Sequence, residues 1–430
     1  MRIALLIAGS GELYYCENCS RDAYIIDGLQ QAGHDVRVAP MYLPLKSLPR
    51  EETPDVFYGA VNLYLGQLMP AFAHAPRWIH RLLDSRLILS AAGALSGATN
   101  APGLGKLTVA MLNGCHDEAV APEYRRLKTW IARTEPDVVH LSNALLLGIV
   151  PAIRELGIPV TCALQDEHTW LDALDSESQA TSWQLMRRHA RDVDRFLPVS
   201  NYYREFMADR LGLTTDTMEV VPVGIPIDSG HPERPTPHGA VGYMAHICEA
   251  NGFDTLCEAF AQLHEEPRFG ELRLRVTGGS TRADSRFIHH CLDDLRQRSL
   301  EPFVDLHHSF TRPERADFLR SVDLISVPTR VEEAIGVYLL EAMGAAVPVV
   351  QPEIGGAGEL VRTTGGGLLY APGTATALAE AIGDALSDNE RLVELGRRGR
   401  RSIEKGYTVE HMARLMVAAF AHVTGRRSGV

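Results

Sequence analysis

Two glutamates in the C-terminal half, Glu333 and Glu341, have seven residues between them and stand around the start of a predicted helix. Glu333 precedes this helix and Glu341 lies about a turn and a half inside it, so both carboxylates can face one ligand at the helix N-terminus. The backbone amides of Gly336, Val337 and Tyr338 are the unpaired donors of the first turn, and together with the helix dipole they favour an anionic phosphate. Carboxylates for hydroxyl groups and amides for phosphate are the parts that a sugar nucleotide requires.

A glycine-rich loop follows the first predicted strand. Gly9, Ser10 and Gly11 stand between this strand and a helix, as in a loop that approaches a phosphate or an acceptor. The residues after Gly11 do not complete the dinucleotide pattern GxGxxG, which disfavours NAD binding. The alternative is a tight turn between strand and helix.

Asp166 and His168 follow another predicted strand, in the segment CALQDEHTW. Open α/β sheets usually present their ligand-binding groups at such strand ends. One of these side chains could orient or deprotonate an acceptor. The alternative for Asp166 is a helix cap.

Short runs of Val, Ile and Leu alternate with longer amphipathic stretches, which is the pattern of βαβ units with a parallel sheet. The strand segments of the first half are RIALLIAG, HDVRVAP, VVHLSN, PVTCALQ and RFLPVS. Those of the second half are AVGYMA, LRLRVTGG, VDLHH, LISVP, PVVQP and GGLLY. The chain is therefore predicted to contain two doubly wound α/β halves.

Residues 221–239 are rich in Pro and Gly and lack any helical or strand period, so we place the domain linker there. The predicted domains are an acceptor domain over residues 1–222 and a nucleotide-sugar domain over 223–407. Residues 408–430 are predicted to form a helix and tail that pack back toward the N-terminal domain.

The composition favours a small-molecule partner over a nucleic acid. The 430 residues carry a formal net charge of −12, whereas nonspecific nucleic-acid binding requires clustered Lys and Arg. No apolar run is long enough for a transmembrane helix, and the first residues lack the pattern of a signal peptide. The sequence therefore predicts a cytoplasmic protein.

The seven cysteines are odd in number and scattered, so we expect reduced thiols rather than a disulfide framework. Cys16 and Cys19 form a single CxxC, which cannot complete a four-ligand zinc site. The histidine pairs His289–His290 and His307–His308 are adjacent rather than on one helical face. Metal and redox chemistry are both disfavoured.

The segment that contains Glu333 and Glu341 resembles the E-x7-E signature of family 4 retaining glycosyltransferases. The resemblance continues in the expected order through EAMGAAVPVV, IGGAGELV and GGGLLYAPGTATALAEAI. It implies the GT-B fold, in which two facing Rossmann-like domains enclose a cleft. It also implies a nucleoside diphosphate sugar of the UDP or GDP type as donor, a retaining mechanism, and no additional cofactor.

The resemblance implies a role for each matching residue. Glu341 would hold the ribose hydroxyls, and Glu333 would bind the donor sugar near its C3 and C4 hydroxyls. The Gly9 loop would lie beside the diphosphate, and the region of His168 would face the donor sugar. The alternative for Glu333 is a charge that stabilises the helix N-terminus, although Glu332 could do this instead.

The sequence departs from the family in VGYMAHICEANGFDTLCEAF. The family usually shows GR-x-x-x-x-K-G here, with an Arg and a Lys that neutralise the diphosphate, whereas this chain has His246, Asn251 and Gly252. His246 is predicted to supply a conditional positive charge next to the phosphate, and the alternative is a neutral hydrogen-bonding residue. Arg282 and Arg330 are candidates for the missing charges, or else solvated surface residues.

Two functions therefore stay open. The first is transfer of a sugar to a small acceptor, such as a specialised metabolite or a low-molecular-weight thiol. The second is nucleotide-sugar binding by a protein of this fold that has lost turnover, which the missing Arg and Lys favour. A phosphorylase is disfavoured, because the chain has only four lysines.

Overall fold

The structure, a computed structural model, describes residues 1–8, 14–41, 104–227 and 239–425. The predicted loop of Gly9, Ser10 and Gly11 lies outside these ranges, as does most of the predicted linker. Both stay predictions. The chain divides into two compact units, one of Met1–Gly11, Asn18–Pro222 and Val409–Val430, the other of Glu12–Glu17 and Val223–Thr408.

The first unit is built on a parallel sheet with the order β2-β1-β3-β4-β5. Its interior strand β1 is apolar and buried at all but its first position, Arg2, as expected when helices cover both faces of a parallel sheet. The strands are β1 Arg2–Ile7, β2 Asp35–Pro40, β3 Val138–Leu141, β4 Val160–Leu164 and β5 Arg195–Pro198. The helices between them are α1 Glu17–Gln31, α2 Gly105–Asn113, α3 Ala121–Thr134, α4 Val150–Arg154, α5 Glu167–Leu171, α6 Ser176–Ala190 and α7 Asn201–Leu211.

The second unit has a parallel sheet with the order β11-β10-β9-β6-β7-β8. Its strands are β6 Ala240–Met244, β7 Arg273–Thr277, β8 Val304–Leu306, β9 Leu324–Ile325, β10 Val349–Pro352 and β11 Gly367–Tyr370. Its helices are α8 Phe253–His264, α9 Ser285–Gln297, α10 Arg312–Arg320, α11 Val337–Gly344, α12 Gly355–Thr364, α13 Ala375–Ser387 and α14 Asn389–Gly406. Every strand segment expected from the sequence forms a strand, and the predicted pair of doubly wound α/β halves is confirmed.

The last helix, α15 Val409–Thr424, belongs to the first unit. It buries an apolar stripe at helical spacing, which includes Met412, Met416 and Phe420. Gly28 of α1 allows its close approach, because a Cβ atom at this position would lie 2.7 Å from Cγ1 of Val409. The first unit is therefore assembled from both ends of the chain.

Candidate functional site

The parallel sheet of the second unit brings the candidate residues of the C-terminal half to one edge. His246 follows β6, Arg282 follows β7, and Glu333 follows β9. These strands are neighbours in the sheet, and ligands of open α/β sheets bind at the carboxyl ends of such strands. We call this edge, with the N-terminus of α11, the strand-end site.

Glu333 lies in the loop between β9 and α11, and a hydrogen bond from the helix holds its carboxylate. The phenol of Tyr338, the second residue of that helix, donates to its Oε2 at 2.9 Å. Burial, followed by the charge of Glu333, raises the pKa of Tyr338 well above its ordinary value, so the phenol keeps its proton and donates. Gly336 has a φ of +80°, and a Cβ there would lie 3.3 Å from the same carboxylate oxygen. The loop thus fixes the direction of Glu333.

Glu341 forms a bidentate ion pair with Arg315 of α10, with both N···O distances at 2.7 Å. The two side chains are only 10% and 8% exposed. Arg315 also donates to the carbonyl of Phe310 at 2.8 Å, and its guanidinium lies 4.6 Å from the centre of the Tyr15 ring. The sequence does not predict the pairing of Arg315 with Glu341, because the two residues lie on separate helices and their spacing carries no recognisable pattern.

The amide of Val337, predicted to bind a phosphate, donates instead to the carboxylate of Glu17. Glu17 is the first residue of α1 and belongs to the second unit together with the tyrosines that precede it. The positive end of α11 therefore holds an anionic side chain of the same chain. Such a contact is what the unpaired amides and the dipole of a helix N-terminus favour.

His246 is paired with an acid. Its Nε2 lies 2.9 Å from Oδ2 of Asp284, and its ring stacks on Tyr14 at 4.2 Å between centroids. Burial raises the pKa of Asp284, but hydrogen bonds from Thr281 and His246 outweigh this effect and leave the pKa below its ordinary value. Asp284 is therefore a carboxylate, and it would neutralise any positive charge on His246. The predicted role of His246 at a diphosphate stays a prediction.

Asn251 and Gly252 build the loop that carries His246. The Asn251 amide donates to the carbonyl of His246 at 2.9 Å. Gly252 has a φ of +67°, and a Cβ atom there would lie 2.0 Å from the carbonyl oxygen of Pro328. This position therefore requires glycine. Neither residue brings a positive charge to the site.

The two candidate arginines differ in their surroundings. Arg330 donates to the carbonyl of Glu249 at 2.8 Å and to the carboxylate of Asp254 at 2.8 Å. These contacts hold it beside the start of α8. Arg282 is exposed after β7. Arg330 is exposed as well, and for both residues the contact with a ligand phosphate stays a prediction.

In the first unit, Asp166 and His168 flank the start of α5. Asp166 is the N-cap residue with a φ of +54°, but its side chain makes no capping hydrogen bond, so the structure does not support the capping alternative. His168 is buried, with its Nδ1 3.1 Å from the Tyr203 hydroxyl and its ring 4.8 Å from that of Phe206. In this state His168 is part of a packed aromatic cluster.

Glu167, between these two residues, is the centre of a buried polar network. Its carboxylate accepts from the amides of Ala144 and Gln165 at 2.9 and 2.8 Å and from the Tyr203 hydroxyl at 2.9 Å. Burial raises the pKa of Glu167 despite these donors. Its role is to connect the ends of β3 and β4 with α7.

A second buried cluster contains Arg21 and Asp22 of α1 and His140 of β3. The Arg21 guanidinium donates to the carbonyl of Ser142 at 3.3 Å, and His140 lies 2.9 Å from the Thr161 hydroxyl. Burial raises the pKa of Asp22 to about 7, although the charge of Arg21 opposes this effect. Burial, together with Arg21, lowers the pKa of His140 to about 3. These groups lie inside the unit rather than on its surface.

The expectation of reduced thiols is wrong for Cys16 and Cys19, which are disulfide-bonded. The CxxC spacing at the start of α1 brings the two sulfurs within reach of each other, and this local geometry needs no wider disulfide framework. The other five cysteines are free. The oxidised pair brackets Glu17, the residue that contacts Val337.

No group of three or more His, Cys, Asp or Glu side chains in the described ranges is arranged to hold a metal ion. In the same ranges, no helix combines the length and the apolar character needed to cross a membrane.

Comparison with known proteins identifies domains in both halves. The family described as Glycosyltransferase Family 4 matches residues 104–229, and the family described as Glycosyl transferases group 1 matches residues 238–388. The chain is 28% identical over 230 residues to a D-inositol 3-phosphate glycosyltransferase of Kineococcus radiotolerans, an alignment that covers 49% of this chain and 53% of that protein. The chain thus spans about half the length of this relative.

A second relative, a 2-deoxystreptamine glucosyltransferase of Streptomyces kanamyceticus, is 24% identical over 311 residues, which cover 67% of this chain and 77% of that protein. Among solved structures, Anabaena Alr3699/HepE in complex with UDP superposes with a TM-score of 0.67 at 18% identity, covering 98% of this chain and all of the other. The latter likeness establishes the fold, which is GT-B.

Proposed function

We propose that this chain, which belongs to the glycosyltransferases through its family 4 and group 1 domains, transfers a sugar from a nucleoside diphosphate donor to a small-molecule acceptor with retention of configuration. The observation that carries the proposal is the strand-end site. There, a fixed carboxylate, the amide end of α11 and a second carboxylate inside that helix occur within one compact loop-and-helix unit.

In this proposal Glu333 accepts a hydrogen bond from a donor-sugar hydroxyl, and Tyr338 keeps its carboxylate in position. Glu341 accepts from the ribose hydroxyls. Its pairing with Arg315 does not prevent this, because a carboxylate has about four lone-pair positions and a bidentate guanidinium uses two. The amides of Gly336, Val337 and Tyr338 face the phosphates.

The donor is proposed to be of the UDP or GDP type, and the UDP complex of the Anabaena protein supports the first of these. For the acceptor we propose a polyhydroxylated ring. Both relatives described above are named for cyclitol acceptors, one an inositol phosphate and the other an aminocyclitol. Asp166 and His168 are the proposed acceptor-side residues, which requires a rotation of His168 out of its aromatic cluster.

The ribose assignment is tested by isothermal titration of UDP and GDP into wild type, Glu341→Gln and Glu333→Gln. Glutamine keeps the shape of each side chain and removes its charge. Because hydrogen bonds to charged groups contribute about 1.5–3 kcal/mol, Glu341→Gln should weaken nucleotide binding about tenfold or more. Glu333→Gln should bind free nucleotide normally and lose sugar transfer.

Glu390→Gln, at an exposed glutamate of α14, is the matched control and should change neither property. Equal nucleotide affinity of wild type and Glu341→Gln would remove the ribose assignment.

The second candidate function is nucleotide-sugar binding without turnover. The pairing of His246 with Asp284 favours it, because a histidine paired with a carboxylate adds no net positive charge to the site. Product analysis with UDP-glucose and GDP-mannose over a panel of cyclitols separates the two. Nucleotide binding without any transfer would select the second function.

A further inference from the structure

The segment Tyr14–Glu17 packs along the strand-end site of its own unit. The amide of Tyr15 donates to the carbonyl of Gly278 at 2.7 Å, and Tyr14 forms an antiparallel bridge with Gly279. Tyr14 also stacks on His246, with an angle of 20° between the rings. The segment therefore lies over the ends of β6 and β7, where the sequence predicts donor contacts.

Tyr15 and Glu17 contact the two parts of the site on which the proposed function depends, namely the ion pair of Glu341 and the N-terminus of α11. Tyr15 is 3% exposed and lies beneath the guanidinium of Arg315, the partner of Glu341. The carboxylate of Glu17 accepts from the amide of Val337. One short segment thus contacts the candidate ribose region and the candidate phosphate position together.

We propose that Tyr14–Glu17 occupies the donor site of the nucleotide-free protein and that the donor diphosphate must displace it. This inference rests on the proposed function, because it takes α11 as the phosphate-binding helix. One amide hydrogen cannot be donated in full to a carboxylate and to a phosphate at once. The two anions would also repel each other at contact distance.

The chemistry of the contact identifies the competitor. Glu17 offers the same anionic oxygen that a phosphate would offer to the first turn of α11. The stacked Tyr14 ring and the Tyr15 ring beneath Arg315 add two planar contacts to the same surface. The segment acts as an internal ligand. Its docking raises the apparent Kd for the donor, which equals the intrinsic Kd divided by the fraction of molecules in which the site is open.

The first measurement is titration of UDP and GDP into wild type and Glu17→Gln. If the segment is docked in about nine molecules out of ten, its release should lower the apparent Kd about tenfold. Asp27→Asn is the matched control, since it removes a negative charge from an exposed position of the same helix. It should leave the Kd unchanged.

The second measurement is hydrogen exchange of a peptide that contains Tyr15, whose amide is protected by Gly278. Exchange should become faster on addition of UDP or GDP, and also in Glu17→Gln without nucleotide. Slower exchange with nucleotide would show that the segment closes over the donor, and this result would overturn the proposal.

The nucleotide titrations distinguish a failure of the displacement from a failure of the proposed function. If wild type and Glu17→Gln bind nucleotide with the same Kd, the displacement is wrong and the proposed function stands. If neither protein binds any nucleotide or nucleotide sugar, the proposed function is wrong and the displacement fails with it, whatever the exchange at Tyr15 shows.

Discussion

The ion pair with Arg315 means that a substitution of Glu341 can affect stability as well as nucleotide binding. The pair is largely removed from solvent, and truncation of one partner of a buried ion pair typically costs about 3–5 kcal/mol because the other charge is left without compensation. A Glu341→Ala protein could therefore lose nucleotide binding through loss of structure alone. Glu341→Gln also leaves the Arg315 charge without a counter-charge, but its carbonyl can still accept one hydrogen bond from the guanidinium. It is therefore the milder variant, and thermal unfolding must show that it is folded.

Asp22 is predicted to make stability depend on pH. Its pKa of about 7 in the folded protein stands above the ordinary value of 3.8, so the folded state holds the extra proton between these values. The free energy of unfolding should therefore fall as pH rises from about 4 to about 7 and change little above that range. Asp22→Asn should abolish this contribution and be more stable than wild type at pH 8 by a few kcal/mol at most.

The measurement is urea unfolding of wild type and Asp22→Asn across this pH range. His140 has the opposite effect, because its depressed pKa makes acid favour the unfolded state below about pH 6.5. The difference between the two proteins isolates Asp22 from that background. A difference that does not vary with pH would contradict the prediction, and Asp27→Asn should give no difference at all.

At the scale of elements, the strands were predictable because short runs of Val, Ile and Leu recur between turn residues. The interior strand β1 is nearly all apolar, as burial on both faces of a parallel sheet demands. The same reasoning located the start of α11 and the strand ends that carry His246 and Glu333. It could not locate the docking of Tyr14–Glu17, because a short segment held by one bridge and a few side chains has no periodicity to read. Nor does the CxxC predict the disulfide, because a single pair at this spacing is equally compatible with two reduced thiols.

The disulfide of Cys16 and Cys19 is predicted to support the docking of Glu17, which it brackets. Exchange with a dithiol opens it, giving two protein thiols and oxidising the dithiol to a disulfide. The freed residues regain conformational entropy, which disfavours the ordered docked state. Reduction should therefore tighten UDP or GDP binding severalfold and speed exchange at Tyr15.

The control for this prediction is the double variant Cys16→Ser/Cys19→Ser, which should behave like reduced wild type and show no response to the dithiol. A response of the double variant would show that the dithiol acts elsewhere than at this disulfide. An unchanged affinity of reduced wild type would show that the disulfide does not govern docking.

At the scale of the whole molecule, the chain crosses between its two units at several points. Residues 12–17 belong to the second unit although their neighbours on both sides belong to the first, and α15 returns to the first unit after the second is complete. The sequence predicts two α/β halves because each half repeats the strand and helix pattern. It does not predict that residues 12–17 join the second unit, since that depends on contacts such as Tyr15 against Gly278.

Tryptophan fluorescence reports on the first unit separately from the second, and this permits a final prediction. The sequence of the second unit contains no tryptophan, whereas Trp130, Trp170 and Trp183 belong to the first. Tryptophan fluorescence therefore follows the first unit, and calorimetry follows both. A ligand that binds only the folded state at 100 times its Kd adds about 2.7 kcal/mol, which should raise the midpoint of a unit of this size by about 5–10 °C.

Because the proposed donor site lies in the second unit, UDP or GDP should raise a calorimetric transition while the tryptophan midpoint moves less. Glu341→Gln should reduce this shift at the same nucleotide concentration, and Glu17→Gln should increase it, since the first loses a ribose contact and the second loses the internal competitor. Equal shifts of both signals would mean that the two units unfold as one cooperative body. A shift confined to tryptophan fluorescence would place the nucleotide in the first unit and remove the strand-end site from donor binding.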